Sequence, residues 1–112
     1  MSLTSTDTDH ARIITVQVPR IDAAMAIQFK EDMRQKTQGS PDRVVLDLSQ
    51  VDFIDSSGLG AIVASMKQLD AGVRLDLAGL SGNVSKVFRL TRMDTVFRLY
   101  DTLDAAVGTD AS

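Results

Sequence analysis

The 112-residue chain is long enough for one packed domain and too short for two ordinary ones, and its 44% hydrophobic and 24% charged content is globular. A net charge of -3, with 12 scattered basic residues, one Tyr, four Phe and no Trp, gives neither a basic groove nor a stacking platform, so no direct nucleic-acid partner is expected. The absence of Cys excludes disulfides, thiolate metal sites and cysteine nucleophiles. No apolar run approaches membrane-spanning length and the first residues lack the basic-then-apolar order of a secretory signal, so the expected setting is cytoplasmic and away from the membrane.

Residues 1–9 are mostly Ser, Thr and Asp, a composition that buries too little apolar area to offset ordering entropy, and they are expected to be a disordered polar leader. The folded domain is placed at residues 10–108. Ala11 to Val18 alternates, with Ile14, Val16 and Val18 on one face, which predicts a strand at or near a sheet edge, closed by Pro19. Asp22 is then expected to cap a helix whose buried face carries Ile21, Met25, Phe29 and Met33, and Gly39-Ser40-Pro41-Asp42 ends it in a loop. Val44, Val45, Leu46 and Leu48 form a nearly continuous apolar run, the pattern of a central strand covered on both faces.

After Asp55 the period changes. Leu59, Ile62, Val63 and Met66 fall at i, i+3, i+4 and i+7, so Asp55-Ser56-Ser57-Gly58 lies at a helix N-terminus, where an Asp or Ser oxygen can cap the first amides and the dipole favours negative charge. That helix should reach about Asp70 and stop at Ala71-Gly72. Val73, Leu75 and Leu77 predict another strand, and Val84, Val87, Phe88 and Thr91 a short helix capped by Ser81 or Asn83. A small strand including Val96, Phe97 and Leu99, a short helix from Thr102 to Val107 and a polar tail at 109–112 complete the chain. Strands alternating with helices imply an α/β fold: an open sandwich with a mixed sheet of about four strands and about four helices mainly on one face.

Little in the sequence supports catalysis. His10, the single histidine, lies in the leader and leaves a serine nucleophile without a base, and Asp55-Ser56-Ser57-Gly58 is not the Gly-x-Ser-x-Gly elbow. Asp47, Asp52 and Asp55 contain hard-metal donors, but the first alternates out of a strand and the second sits in a turn, so no metal is expected. Gly58-Leu59-Gly60 lacks the further glycine and lysine of phosphate-binding loops, and no cofactor is expected. On spacing alone, Ser56 or Ser57 is a helix cap.

The run Val45-Leu46-Asp47-Leu48-Ser49-Gln50-Val51-Asp52-Phe53-Ile54-Asp55-Ser56-Ser57-Gly58-Leu59-Gly60 resembles the signature of the bacterial anti-sigma factor antagonists, the single-domain members of the STAS family. Arg20-Ile21-Asp22 and the segment from Val96 to Ala106 extend the resemblance over most of the chain. It implies a four-stranded sheet with helices mainly on one side and the first strand at an edge. It also implies a regulator rather than an enzyme. In that family the first serine after the aspartate is phosphorylated by an anti-sigma factor that is itself a GHKL-type serine kinase, which places the acceptor here at Ser56. The unmodified antagonist binds the kinase and frees a sigma factor, the phosphorylated form lets go, and a PPM-type phosphatase restores it.

By the same resemblance Asp55 orients the loop, Ser57 caps, Gly58 and Gly60 let the kinase approach the backbone, and Asp22, Leu59 and the serines complete the partner-binding surface. A weak homodimer is the only self-association envisaged. The alternative from another class is a STAS accessory subunit of a phospholipid-type ABC transport system, with no phosphorylation cycle. Two departures from the family pattern stand out. Pro19 occupies a common glycine position, and Arg92-Met93 replaces a frequent Gly-Leu, which puts the left-handed cap of the preceding helix in question.

Overall fold

The computed structural model describes residues 3–111, with side chains as far as 108. Its elements in order are β1 (Leu3–Asp7), β2 (Arg12–Val16), β3 (Arg20–Ile21), α1 (Ala26–Lys36), β4 (Arg43–Asp47), β5 (Phe53–Ile54), α2 (Ser56–Lys67), β6 (Arg74–Ala78), α3 (Gly82–Leu90), a 3-10 turn (Met93–Thr95), β7 (Leu99–Tyr100) and α4 (Leu103–Ala111). The main sheet has five strands in the order β1-β2-β4-β6-β7, and β3 and β5 form a separate two-stranded ladder. β1 runs antiparallel to β2, and every other neighbouring pair is parallel. The expected α/β sandwich is therefore observed, with five strands in the main sheet rather than four.

The apolar run in the middle of the chain explains the centre. All five residues of β4 are buried, and β4 pairs on both sides, with β2 and β6. Alternation then divides its side chains between two layers. Val44, Leu46 and Leu48 join Phe29 and Met33 of α1, Ala61 and Ile62 of α2, and Val84 and Phe88 of α3 in the larger core. Val45 faces the other way, into a thin layer with Ala11, Ala78 and Ala106, partly covered by Leu103 of α4. Three helices thus cover one face and α4 the other. Under α4 the buried Arg43 donates from Nε to Asp76 Oδ2 at 2.8 Å and from Nη1 to the Ala106 carbonyl at 2.8 Å, and its guanidinium lies 5.5 Å from the centre of the Tyr100 ring.

The polar leader is a strand. Residues 3–7 pair along β2 from Leu3↔Val16 to Asp7↔Arg12, and Leu3 is fully buried. An edge strand needs only one apolar anchor, because its remaining side chains stay in water while its backbone bonds the neighbour. Arg12 secures the far end, donating from Nε and Nη2 to the two oxygens of Asp7 at 2.7 and 3.1 Å, and from Nη1 to the carbonyls of Lys36 and Gln38. Met1 and Ser2 lie outside the described residues. The polar tail is likewise corrected, since α4 continues to Ala111, with Ser112 outside the described residues.

Other differences are local. α1 begins at Ala26 with Met25 at its cap position and no side-chain cap, so Asp22 does not cap it. Val96 and Phe97 precede β7 rather than forming it, with Phe97 buried edge-on against Phe88 at 6.1 Å. The left-handed residue after α3 is present despite the substitution: Arg92 adopts φ 61°, ψ 23°. A non-glycine residue there is strained by about 1 kcal/mol, and the packing of Phe97 and Met93 into the core holds the turn closed.

Candidate functional site at the start of α2

The site is built from β3, β5 and the first turn of α2. The Pro19 carbonyl accepts the N–H groups of Asp52 and Phe53 at 2.8 and 3.2 Å, which brings the segment leaving β4 alongside β3. The ladder then registers Arg20 with Phe53 and Ile21 with Ile54. Both isoleucines are buried, so Arg20 and Phe53 take the outer face, where the Arg20 guanidinium stacks 4.4 Å from the Phe53 ring centre. Arg20 Nε also donates to Asp22 Oδ2 at 3.4 Å.

Asp55 caps α2. It holds extended backbone, φ -102° and ψ -177°, and its Oδ1 accepts the Gly58 N–H at 2.8 Å, satisfying one of the amides that a helix start leaves open. Its Oδ2 accepts the Ala23 N–H at 3.1 Å, so a single carboxylate ties the start of α2 to the turn before α1. Asp22 shapes that turn, its Oδ1 accepting the Ala24 N–H at 3.2 Å.

With Asp55 as the cap, Ser57 is not one. Ser56 and Ser57 are the first two residues of the helix, both exposed, and among the described residues neither hydroxyl has a hydrogen-bond partner. Gly58 has a structural reason of its own. A Cβ there would lie 2.0 Å from the Ile21 carbonyl oxygen, so only glycine lets the first turn of α2 sit on β3. Gly60 is exposed and nothing within the chain crowds a Cβ at that position. Leu59 is half-buried against the main core.

The structure thus brings Asp22, Asp55 and the two serines to one edge. Asp47 is separate, buried in β4 with its Oδ1 accepting the Ser49 N–H, and no three His, Asp or Glu side chains gather into a metal-binding group among the described residues. His10 lies in the β1–β2 turn, at the end where β4 begins, whereas Ser56 follows the far end of β4. Arg20 and Phe53 were not singled out from the sequence. Ladders of two residues have no periodicity to read, and only the register places these side chains together.

Residues 2–106 match the family model described as the STAS domain. The chain belongs to the STAS family. Among its relatives, this STAS chain is 28% identical over 109 residues to the anti-sigma-F factor antagonist RsfB of Mycobacterium tuberculosis, covering 96% of this chain and 89% of the relative. It is 33% identical over 96 residues to the anti-sigma-B factor antagonist of Listeria monocytogenes, covering 83% and 81%. Among solved structures, an anti-sigma factor antagonist from Mycobacterium paratuberculosis superposes with a TM-score of 0.85 at 26% identity, over 98% of this chain and 93% of that one. Among the described residues of this STAS chain, no helix is long and apolar enough to cross a membrane.

Proposed function

We propose that this chain is an anti-sigma factor antagonist switched by phosphorylation of Ser56. The observation that carries the reading is the division of labour at the start of α2. Asp55 performs the capping, which leaves the Ser56 hydroxyl exposed at the first helical position within a chain whose relatives are named as antagonists. The unmodified face, with Asp22, Asp55, Ser56, Ser57, Leu59 and Gly60, docks on an anti-sigma factor of the GHKL kinase type. Gly58 serves the same face indirectly, by seating the helix.

In the transfer step Ser56 Oγ forms a bond to the γ-phosphorus of the kinase's ATP, the bond to the bridging oxygen of ADP breaks, and the hydroxyl proton passes to a base on the kinase. The chain is the substrate, and a PPM-type phosphatase reverses the modification with water. The phosphoryl group adds about -1.5 to -2 charges and three acceptor oxygens beside Asp55. A contact built around a bare hydroxyl then loses both its charge balance and its dry surface. Within the free chain the helix N-terminus stabilises the same charge, so release needs no refolding. The transporter-subunit alternative needs no modifiable serine.

Calorimetry against the cognate anti-sigma kinase tests this reading. Wild type and Ser56→Ala should bind alike, Ser56→Ala should take no phosphoryl group, and Ser56→Asp should bind at least tenfold more weakly. Equal binding by Ser56→Ala and Ser56→Asp would overturn the electrostatic switch.

A further inference from the structure

The Arg20–Phe53 pair lies on the ladder that carries the start of α2, and neither side chain caps that helix. We propose that Arg20 is the internal receiver of a phosphoryl group on Ser56, leaving Phe53 and Asp22 to pair with it and so changing the docking face beyond the serine itself. This inference rests on Ser56 being the acceptor.

The placement supports the reach. Asp55 N–H donates to the Ile21 carbonyl at 3.3 Å, so residues 20 and 56 are each one residue away from that single hydrogen bond. With consecutive Cα atoms about 3.8 Å apart, the span is one an extended arginine side chain can cross. Arg20 is already on the solvent face of the ladder, its side chain 59% exposed, and Ser56 is exposed as well.

The comparison of partners gives the direction. Arg20 now holds an exposed aromatic ring, Phe53 being 40% exposed, and one carboxylate oxygen at 3.4 Å, long for a charged hydrogen bond. A phosphoryl group offers a doubly charged, bidentate acceptor that matches the guanidinium fork, and such pairs are stronger than exposed cation–π contacts or surface ion pairs. The competing negative groups are Asp22 and Asp55. Asp55 spends both oxygens on backbone amides, at Gly58 and Ala23, and Asp22 retains the Ala24 amide when Arg20 leaves. The transfer therefore strands no buried group. It uncovers the Phe53 ring and removes the cation from Asp22, so a kinase fitted to the unmodified face meets an altered surface on both strands of the ladder.

The test is NMR on the full chain with phosphoserine installed at position 56 during synthesis, which makes the outcome independent of whether Ser56 is modified in the cell. The expected result is a downfield shift of the Arg20 Nε–Hε signal, loss of the upfield ring shift that Phe53 imposes on the Arg20 methylenes, and neither change with phosphoserine at 57. In Arg20→Ala the perturbation of the Phe53 ring signals by phosphoserine 56 should disappear. Unchanged Arg20 signals with phosphoserine 56, or a Phe53 perturbation that persists in Arg20→Ala, would overturn the proposal.

Discussion

Gly58 and Gly60 are separated by a single helical residue, and their surroundings assign them opposite physical roles. At 58 a methyl group meets the Ile21 carbonyl oxygen at 2.0 Å, a backbone atom with no flexible end to yield. Gly58→Ala should therefore destabilise the fold by about 3 kcal/mol, read as a lowered denaturant midpoint with unchanged slope. At 60 the space is open, and replacing an exposed helical glycine should stabilise the chain by up to about 1 kcal/mol. If Gly60 serves close approach by the kinase, Gly60→Ala should be more stable and yet bind the kinase more weakly. A variant that binds as wild type removes position 60 from the interface. The Asp-Ser-Ser-Gly run was legible as a helix start because the apolar period changes there, but which oxygen caps it was not. That depends on Asp55 having a second amide to accept, at Ala23, 32 residues earlier in the chain.

At the scale of elements, the two charged anchors make different predictions. Asp76 is 1% exposed, held by Arg43 beneath α4, with Arg74 Nη2 also 3.1 Å away. Removing one partner leaves the other charge buried, so Asp76→Ala should cost about 3–5 kcal/mol, whereas the pair Arg43→Met with Asp76→Leu should cost less in urea melts, with the lost bond to the Ala106 carbonyl remaining. The anchor of β1 is exposed instead. The Arg12 hydrogen bonds hold the Asp7 carboxyl below its usual range, so its contribution is full above about pH 4 and is lost as pH falls through the lower folded value. Thermal melts across the acid range should show wild type above Asp7→Asn at neutral pH, the gap closing below about pH 4. β2 and β6 were readable from their alternation and β4 from its continuous apolar run, because each pattern reports which faces of the strand are buried. β1 was not, since one buried leucine carries it and its partners are backbone groups that composition does not register. The start of α4 was readable from Leu103, Ala106 and Val107, but its continuation to Ala111 was not, because residues 108–111 carry no apolar period.

For the whole molecule, the fold separates the main core from the candidate site. The five-stranded sheet and three of its helices enclose the main core, while the candidate site is mounted on the small β3–β5 ladder at one end, where α2 begins. Charge added at Ser56 therefore falls on an exposed edge rather than on the core, so the proposed switch acts through the surface. The fold class was legible because strand and helix periods alternate along the chain. The candidate site was named only by the resemblance, because a hydroxyl that does not cap looks, in sequence, like one that does. The most direct measurement is the intact mass of the protein purified from its own cells in growth and under stress, with any phosphoryl group mapped by fragmentation. One phosphoryl group on Ser56, with occupancy that changes between the two conditions, is the predicted result. An unmodified chain in every condition, or modification confined to Ser57, would contradict it.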